Sequence, residues 1–296
     1  MMDENKAARG GCLRILQWQM KVPEKPAEAL ERAEDACRRA RELDADLVCL
    51  PEMFCCPYVT EKFPVYAEGE DGETARACAS LAKEYGVYLS AGSMPERGAD
   101  GRVYNTAYVF DRAGKRVAKH RKMHLFDIDV AGGQSFRESD TLSAGGGITV
   151  FDTEFGKMGL CVCYDFRFPE LARLMALRGA ELILVPAAFN MTTGPLHWEL
   201  MFRAQAMFQQ VFAVGTAPSW DAAADYQSWG HSIAVDPWGR VLAQMDEGEG
   251  GQLVVLDLAE TERVRAQIPL LRHRRTDIYT LHAPEQSYFD GEERSQ

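Results

Sequence analysis

The sequence lacks a long apolar run and an excess of positive charge. Its longest uninterrupted apolar stretch is the five residues from Leu160 to Tyr164, whereas a membrane-spanning helix needs about 20. No apolar signal core is present near the amino terminus, so a secreted protein is not expected. Aspartate and glutamate number 44 against 33 lysines and arginines, which gives a net charge of −11. Proteins that bind nucleic acid or anionic membranes usually carry the opposite balance, so neither partner is expected.

A Cys-x-x-Cys pair is also absent, although the chain has eight cysteines. A thioredoxin-like redox site or a zinc ribbon therefore has no anchor. In a long chain without a secretory signal, we expect reduced thiols in a cytoplasmic protein, most of them packed as small apolar side chains. A reactive thiol should instead lie at the end of a strand or helix beside ionisable groups. Cys163 fits that description best.

Patterns typical of strands and of helices alternate along most of the chain. Strand patterns occur at 13–18, 47–50, 87–91, 105–111, 115–120, 159–164, 182–185, 211–216, 231–236 and 252–258. Helical patterns occur at 27–43, 74–85, 169–178 and 198–210. Residues 121–147 form a long, weakly periodic segment of the kind that is often functional in a compact domain. No linker, charge block or internal repeat divides the chain. The pattern predicts a single α/β domain in which helices cover a sheet that contains hairpins.

Three polar residues stand at or just after predicted strand ends, where active-site loops usually leave a sheet. Glu52 follows the strand at 47–50, where partial burial would raise its pKa, although a surface carboxylate fits equally well. Lys122 lies in a basic segment that fits either an anion site or a solvated face. Cys163 separates a strand from a helix that begins at Pro169, as in a nucleophile elbow, or it is a buried structural cysteine.

Together these residues supply what a thiol nucleophile needs, which is a base for its proton and a cation for the oxyanion. The motifs Leu50-Pro-Glu52, Arg121-Lys-x-His-Leu125 and Cys163-Tyr-Asp-x-Arg-Phe-Pro-Glu170 occur in this order. They resemble the three signatures of the nitrilase superfamily of carbon–nitrogen hydrolases, and the resemblance extends from about residue 13 to residue 279. One departure is Cys161, where the family usually has glycine. If the strand continues through Cys163, the two thiols share a face and form either an oxidation-sensitive pair or plain core thiols.

Further segments look like the ω-amidase branch of that superfamily. These segments are His124-Leu-Phe-Asp-Ile-Asp-Val130, Phe136-x-Glu-Ser139, Thr141-Leu-Ser143, Ala188-Phe-Asn-x-Thr-Thr-Gly-Pro-x-His-Trp-Glu199 and Trp229-Gly-His-Ser232. That branch hydrolyses the terminal amide of α-ketoglutaramate or α-ketosuccinamate and releases ammonia and a 2-oxo dicarboxylate. The resemblance therefore implies a small-molecule amide as substrate.

The resemblance also implies the catalytic roles. Cys163 is the nucleophile that forms a thioester, Glu52 the general base, and Lys122 the cation that stabilises the oxyanion together with the N–H of Tyr164. Glu138 matches a second family carboxylate near the lysine and the base. The resemblance implies no metal and no organic cofactor. Asp127 and Asp129 lie in a loop where two carboxylates are more often solvated than bound to a cation.

Substrate selection needs a group that binds the distal carboxylate. By resemblance this is Arg167, whose guanidinium can bind a carboxylate through two hydrogen bonds. Tyr58, Phe189 and Thr193 match the remaining pocket positions, although the aromatic residues fit core packing as well. Arg167 also fits a structural ion pair with Glu170 or Asp165. His197, at the start of a predicted helix, is expected to be structural.

The implied fold is a four-layer αββα sandwich in one domain, with two central sheets between layers of helices. We expect this hydrolase domain to span residues 13–282, between a flexible amino-terminal segment at 1–12 and a tail at 283–296. Members of this superfamily commonly dimerise, so a homodimer or a higher homo-oligomer is expected.

Two kinds of alternative remain from the sequence. Another branch, such as a deaminated glutathione amidase or an N-carbamoyl hydrolase, shares the same glutamate, lysine and cysteine. A non-catalytic binding protein, or a dinucleotide binder that uses Gly145-Gly-Gly147, belongs to another class. The glycine run does not form Gly-x-Gly-x-x-Gly after a first strand, which weakens the dinucleotide interpretation. The four residues to which the resemblance assigns catalytic roles, Glu52, Lys122, Glu138 and Cys163, are all present, which favours an enzyme over a non-catalytic binding protein.

Overall fold

The computed structural model describes residues 11–283, and strands account for much of this part of the chain. In chain order the strands are β1 (Cys12–Gln19), β2 (Leu47–Cys49), β3 (Tyr88–Arg97), β4 (Val103–Phe110), β5 (Arg116–Arg121), β6 (Asp127–Asp129), β7 (Ser135–Arg137), β8 (Thr149–Thr153), β9 (Gly156–Leu160), β10 (Leu182–Pro186), β11 (Phe212–Thr216), β12 (Ile233–Val235), β13 (Val241–Gln244) and β14 (Gly250–Asp257). The α-helices are α1 (Pro26–Glu42), α2 (Phe63–Tyr66), α3 (Glu73–Tyr85), α4 (Pro169–Leu177), α5 (Gly194–Gln209) and α6 (Ala259–Gln267).

Twelve of these strands form two six-stranded sheets. The first has the order β14-β1-β2-β3-β4-β5 and the second the order β13-β12-β11-β10-β9-β8. In the first sheet β1, β2 and β3 are parallel neighbours, and in the second β9, β10 and β11 are parallel neighbours. Hairpin-like antiparallel strands extend both sheets outward. The two sheets therefore repeat one plan, with a parallel centre whose strands end at a common edge.

The sheets pack face to face around the largest apolar cluster, which draws buried side chains from both of them. A polar contact crosses the same interface, because the buried Gln17 side chain on β1 donates to the carbonyls of Gly215 on β11 (2.8 Å) and Ile233 on β12 (3.1 Å). A buried amide of this kind is tolerated only when its hydrogen bonds are satisfied. The position of one sheet relative to the other is thus set both by apolar packing and by hydrogen bonds.

Helices cover the outer face of each sheet. On α1 the buried face consists of Ala29, Ala33, Ala36, Cys37 and Ala40, and it packs with α3 against the first sheet. Small side chains at this spacing place the helix close to the strands beneath it. Helices α4 and α5 cover the second sheet through larger side chains, including Trp198 and Phe202. The result is the four-layer αββα sandwich in one domain, which confirms the predicted fold class.

Several predicted boundaries change in the structure. The strand predicted at 159–164 ends at Leu160, because Cys163 has a left-handed backbone (φ 49°) and begins a 3-10 helix, Cys163–Arg167. The alternation on which the shared face of Cys161 and Cys163 depended therefore stops before both residues. Helix α5 begins at Gly194 rather than 198, since a proline in the first turn is compatible with a helix. Helices α2 and α6 and strands β6, β7, β8 and β13 were not predicted.

The predicted domain limits fall at the edges of the described residues. Strand β1 begins at Cys12, one residue before the predicted domain start. Most of the predicted amino-terminal segment, 1–12, and of the predicted tail, 283–296, lies outside residues 11–283. Within those residues no helix is both long and apolar enough to span a bilayer.

One glycine has a direct effect on the strand end that carries Glu52. Gly92 lies at an irregularity of β3 with φ 55°, and a Cβ atom there would be 2.0 Å from the carbonyl oxygen of Pro51. The next residue, Ser93, accepts a hydrogen bond from the Met53 N–H at its side-chain oxygen (3.0 Å). Only a residue without a side chain allows this close approach, so Gly92 fixes the backbone on both sides of Glu52.

We predict that Gly92→Ala lowers the free energy of unfolding by more than about 1 kcal/mol and reduces catalytic activity as well, because Pro51 must move. The measurement is urea unfolding together with steady-state kinetics. Gly101→Ala is the matched control, because Gly101 also has a positive φ (79°), but a Cβ added there would have no atom within 4 Å beyond its chain neighbours. Equal effects of the two substitutions on activity would contradict a specific role for Gly92.

Candidate active site

The predicted carboxylate Glu52 is fully buried just beyond β2 and has a hydrogen-bond donor at each oxygen. Its Oε1 accepts from Lys122 Nζ (2.9 Å) and from the Asn105 side-chain amide (2.8 Å), and the Tyr58 hydroxyl oxygen lies 3.2 Å from it. Its Oε2 accepts from the Ala188 N–H (2.8 Å). Burial raises the pKa of Glu52, although the Lys122 ammonium opposes this rise. A carboxylate with a raised pKa is suited to accept a proton near neutral pH.

Lys122 lies immediately after β5 and is also fully buried. Its Nζ donates to Glu52 Oε1 (2.9 Å), to Glu138 Oε1 (2.8 Å) and to the Tyr58 hydroxyl (3.3 Å). Burial by itself lowers the pKa of Lys122, but the two carboxylates outweigh it and raise the pKa above its usual value. The lysine is therefore a permanent cation held in one position.

Glu138 begins the short 3-10 helix Glu138–Asp140 and has no exposed surface. Its Oε1 accepts from Lys122 Nζ and from the Tyr58 hydroxyl (2.5 Å), and its Oε2 accepts from the Phe126 N–H (2.7 Å). The second oxygen therefore connects the carboxylate to the chain that follows Lys122. The weakly periodic segment at 121–147 thus contributes both the lysine and one of its two counter-charges.

Cys163 completes this group at the start of the 3-10 helix Cys163–Arg167. Only 4% of its surface is exposed, and its thiol lies close enough to the Glu52 carboxylate and to the backbone of Ala188 for both to shift its pKa. Burial, followed by the Glu52 charge, raises the pKa of the thiol well above its usual value, and Lys122 partly opposes this shift. The resting thiol is therefore protonated, and Glu52 is within reach to accept its proton. The left-handed backbone at Cys163 is a strained conformation of the kind that is concentrated at active sites.

Asp165 was not predicted as a site residue, yet it connects the cysteine turn to the lysine loop. Its Oδ1 accepts from the N–H groups of Met123 (3.0 Å) and His124 (2.8 Å) and contacts His124 Nδ1 (2.8 Å). Its Oδ2 accepts from the Val162 N–H (3.1 Å) and contacts His120 Nε2 (2.9 Å). Burial would raise the pKa of Asp165, but hydrogen bonds from the two histidines hold it well below the usual range. The aspartate two residues beyond the cysteine, with histidines on either side of the lysine, was the available signal.

Arg167 lies at the other end of the cysteine turn and has an unusual set of neighbours. Its guanidinium lies over the Phe189 ring (4.3 Å from the centroid), and its Nη1 contacts His197 Nδ1 (3.0 Å). Its Nε is buried without a hydrogen-bond partner, and burial lowers the pKa of this arginine. No described carboxylate forms an ion pair with it, so the alternative pairs with Asp165 and Glu170 are wrong. Asp165 already binds the two histidines and three N–H groups.

The other predicted pocket residues lie around these groups in different ways. Tyr58 touches both carboxylates directly, whereas Phe189 supports Arg167 and packs edge-on against Trp198 (5.1 Å). Tyr164 packs against Phe126 and Phe168. Thr193 hydrogen-bonds the Asn190 side chain through its N–H (2.8 Å) and its hydroxyl (3.0 Å), just before α5.

Three further residues border the site without having been predicted. Asn105 and the backbone of Ala188 bind Glu52, and Tyr226 packs against the Tyr58 ring (4.6 Å between centroids). Asn105 is one of two adjacent polar residues within β4, and the Ala188 contact is made by the backbone. The contacts that Asn105 and Ala188 make with Glu52 are therefore not indicated by a local sequence pattern.

In residues 11–283 no group of three or more metal-binding side chains is present, and Asp127 and Asp129 are exposed on β6.

The fold and this buried site together define the class of protein. Two central sheets present a thiol, two carboxylates and a lysine at their common edge, as in enzymes that cleave amide bonds through a cysteine. The sequence profile of the carbon-nitrogen hydrolase family matches residues 12–266, and the chain belongs to that family.

Relatives and solved structures agree with this assignment. The chain is 46% identical over 268 residues to Omega-amidase NIT2 of Mus musculus, which covers 90% of this chain and 97% of the relative. It is 43% identical over 268 residues to Omega-amidase NIT2 of Homo sapiens, covering 90% and 97%. Among solved structures, Nit3 of Saccharomyces cerevisiae, a member of branch 10 of the nitrilase superfamily, matches with a TM-score of 0.82 and 37% identity, covering 89% of this chain and 97% of that one. The predicted membership of the nitrilase superfamily and the predicted amidase class are confirmed.

We predict that Asp165→Asn lowers the free energy of unfolding at neutral pH by about 2 kcal/mol or more and reduces kcat, because an amide nitrogen cannot accept from Val162 or His120. Asp165 has a lowered pKa in the folded state, so it stabilises the fold above the pKa of the unfolded chain, about 3.9. That contribution should be lost as the pH falls below about 4 in the native protein, whereas the variant lacks it at every pH.

The measurement is urea unfolding from about pH 3 to pH 7, a range that spans the pKa of the unfolded carboxyl group, combined with activity at neutral pH. Asp129→Asn, at an exposed site on β6, is the control and should leave both properties unchanged. A variant of Asp165 that keeps the native slope of stability against pH would show that this carboxylate does not connect the two loops.

Proposed function

We propose that this protein is an ω-amidase that hydrolyses the terminal amide of a small 2-oxo dicarboxylic acid monoamide, α-ketoglutaramate or α-ketosuccinamate. The observation that carries this proposal is Arg167, a largely buried cation that has no described carboxylate partner and lies in the same short helix as Cys163. An unpaired guanidinium in such a place is ready to bind a carboxylate through two hydrogen bonds. The names of the relatives support the same substrate class.

In the proposed reaction Cys163 attacks the amide carbon and Glu52 takes the thiol proton. The proximity of the two side chains, each of which shifts the pKa of the other, supports this assignment, as does the raised pKa of both groups. Because the thiolate is unfavourable in the resting site, it forms only as the carbon–sulfur bond forms. Glu52 then returns the proton to the leaving nitrogen, so that ammonia departs and a thioester remains. Water activated by Glu52 hydrolyses the thioester and restores the thiol.

Lys122 and the N–H of Tyr164 are proposed to hold the oxyanion of each tetrahedral intermediate. The ammonium of Lys122 is positioned before any substrate arrives, since Glu52, Glu138 and the Tyr58 hydroxyl accept its hydrogen bonds. A fixed charge in a dry site stabilises a developing oxyanion without reorganising solvent. Glu138 is proposed to act through the lysine, because its Oε1 binds Nζ while its Oε2 is held by the Phe126 N–H. Each step is thus assigned to side chains and backbone of this chain.

Substrate orientation follows from the separation of charges in the site. Arg167 is proposed to bind the distal carboxylate, with its guanidinium plane supported by Phe189. Tyr58, whose hydroxyl bridges the two carboxylates, and Tyr164 and Thr193 are proposed to form the remaining pocket walls. The amide end of the substrate then lies at Cys163, because the carbon that the thiol attacks belongs to that end.

Two broader properties of the protein are also proposals. A homodimer is supported by the outward face of α5, where Leu196 is 72% exposed and Leu200 is 67% exposed, and sedimentation equilibrium would reveal it.

A cytoplasmic location is supported by the eight cysteines, none of which forms a disulfide and all of which lie within residues 11–283. Microscopy of a fluorescently tagged chain in its native cells tests this location.

The substrate assignment is tested by ammonia release from a panel of amides. We expect α-ketoglutaramate and α-ketosuccinamate to be cleaved with the highest kcat/KM. Cys163→Ala should lose activity about a thousandfold or more, because the nucleophile is absent. Deaminated glutathione and N-carbamoyl compounds are included in the panel. A clear preference for either of them would assign the protein to another branch, and full activity of Cys163→Ala would refute the cysteine mechanism.

The role of Arg167 makes a separate prediction. Arg167→Lys should raise the KM for α-ketoglutaramate by about 10- to 100-fold, because one ammonium cannot replace two guanidinium hydrogen bonds to a carboxylate. A neutral short-chain amide of similar size serves as the control substrate, and its kcat/KM should change little. If both substrates lose the same factor, Arg167 supports the fold of the site rather than the substrate carboxylate.

A further inference from the structure

A cavity of about 310 Å³ reaches Glu52 from the molecular surface. Its inner wall consists of buried residues, Glu52, Met53, Ala188 and Ser219 among them, and its outer end is lined by the exposed residues Glu24, Ala223 and Asp225. Space of this size holds about ten water molecules at roughly 30 Å³ each. We call this cavity the Glu52 passage.

The Glu52 passage is largely separate from the groups proposed to bind the substrate. It shares Tyr58 with them, whereas its lining does not include Cys163, Tyr164, Arg167, Phe189 or Thr193. It meets the site on the side of the general base, next to the Ala188 backbone that binds Glu52 Oε2. The base is thus reached from a direction that the acyl group, held at Cys163 and Arg167, leaves open.

The polar groups of the passage suit small neutral or cationic molecules rather than a dicarboxylate. Within the described residues, every charged side chain that lines it is a carboxylate, at Glu24, Glu52, Asp221 and Asp225. Lys62 pairs with Glu24, and Lys21 lies 3.6 Å from Asp221, so the outer end is weakly acidic rather than strongly charged. The passage offers a dianion no cation comparable to Arg167.

A second observation indicates that a small polar molecule fits inside. Ser219 lines the passage with only 3% of its surface exposed, and its hydroxyl oxygen has no hydrogen-bond partner in the described part of the chain. A buried hydroxyl without a partner is unfavourable unless water or a similar molecule satisfies it. The passage is therefore suited to water and to ammonia.

The two-step reaction creates a need for such a passage, and this inference rests on the proposed function. After the first step the acyl group is bound to Cys163 and occupies the substrate side of the site. Ammonia must then leave from the vicinity of Glu52, and a water molecule must reach the same carboxylate. We propose that the Glu52 passage drains the ammonia and supplies the hydrolytic water while the thioester remains in place.

The hydrolytic step balances with the groups of the site. Water from the passage gives a proton to Glu52, and its oxygen forms a bond to the acyl carbon. The carbon–sulfur bond breaks, the 2-oxo dicarboxylate leaves, and Glu52 returns the proton to the sulfur of Cys163. The step is a hydrolysis, so water is its only co-reactant.

The test narrows the passage with two substitutions of its lining, Ala224→Trp at the outer end and Ser219→Leu further inside. Slower hydrolysis of the thioester lowers kcat and KM together, and we expect a decrease of about fivefold or more in both. Slower escape of ammonia lets the first step reverse, and any fall in kcat/KM from this cause should be the same for every amide that releases ammonia. Rapid-quench mass spectrometry should show the acylated Cys163 accumulating during turnover of α-ketoglutaramate.

Ala222→Trp is the matched control, because Ala222 is an exposed neighbour that does not line the passage. It should behave like the native protein, and thermal unfolding checks that each variant is folded.

Two outcomes would overturn the passage. A fall in kcat/KM without accumulated thioester that is much larger for α-ketoglutaramate than for a smaller amide such as acetamide would mean that the cavity admits the substrate itself, because slow escape of ammonia affects both amides equally. Native kinetics in both lining variants would mean that water and ammonia travel elsewhere. The proposed function fails in a different way, because the native enzyme would then prefer another amide of the panel or form no acyl adduct at Cys163 with any of them.

Discussion

The rest of the site depends on one buried ion cluster, in which the Lys122 ammonium lies between the carboxylates of Glu52 and Glu138. All three side chains are fully buried, so each would be strongly destabilised without the others. With two carboxylates around one ammonium, the cluster keeps the lysine charged and leaves Glu52 with a raised pKa. A single arrangement therefore provides both a permanent cation and a base that can gain and lose a proton.

The fold supplies this cluster from segments that are far apart in the sequence but end at one edge of the two sheets. Glu52 follows β2 and Lys122 follows β5 in the first sheet, whereas Cys163 follows β9 in the second. The relative position of the sheets thus sets the distance between Glu52 and Cys163, the proposed base and nucleophile. Asp165 adds a direct connection, since its two oxygens bind both the chain around Lys122 and the turn that contains Cys163. A side chain with no role in bond making therefore helps to define the catalytic geometry.

The fold class and the residues that come together in the site could be predicted from the sequence. The contacts that hold those residues in place could not. Glu52, Lys122 and Cys163 could be predicted because each follows a strand pattern and belongs to a motif of the family. Asp165 was missed because its importance lies in contacts with other segments rather than in any local pattern. The Ala188 contact is made by the backbone, which carries no residue identity. The predicted extension of the strand to Tyr164 was wrong for a related reason. The run of apolar residues favours a strand, whereas the hydrogen bond from the Val162 N–H to the Asp165 side chain stabilises a turn.

The distribution of charge in the site also explains why an acidic protein can act on an anionic substrate. The net charge of −11 repels a dicarboxylate at long range, but such repulsion between exposed charges is screened over about 10 Å at moderate salt. Arg167 acts at contact distance, where its guanidinium has no described carboxylate to neutralise it. The carboxylates around Glu52 act at the opposite end and favour ammonium over a second anion. With the proposed roles of these residues, a substrate with a carboxylate at one end and an amide at the other would be oriented by the site itself, with the amide toward Glu52 and Cys163.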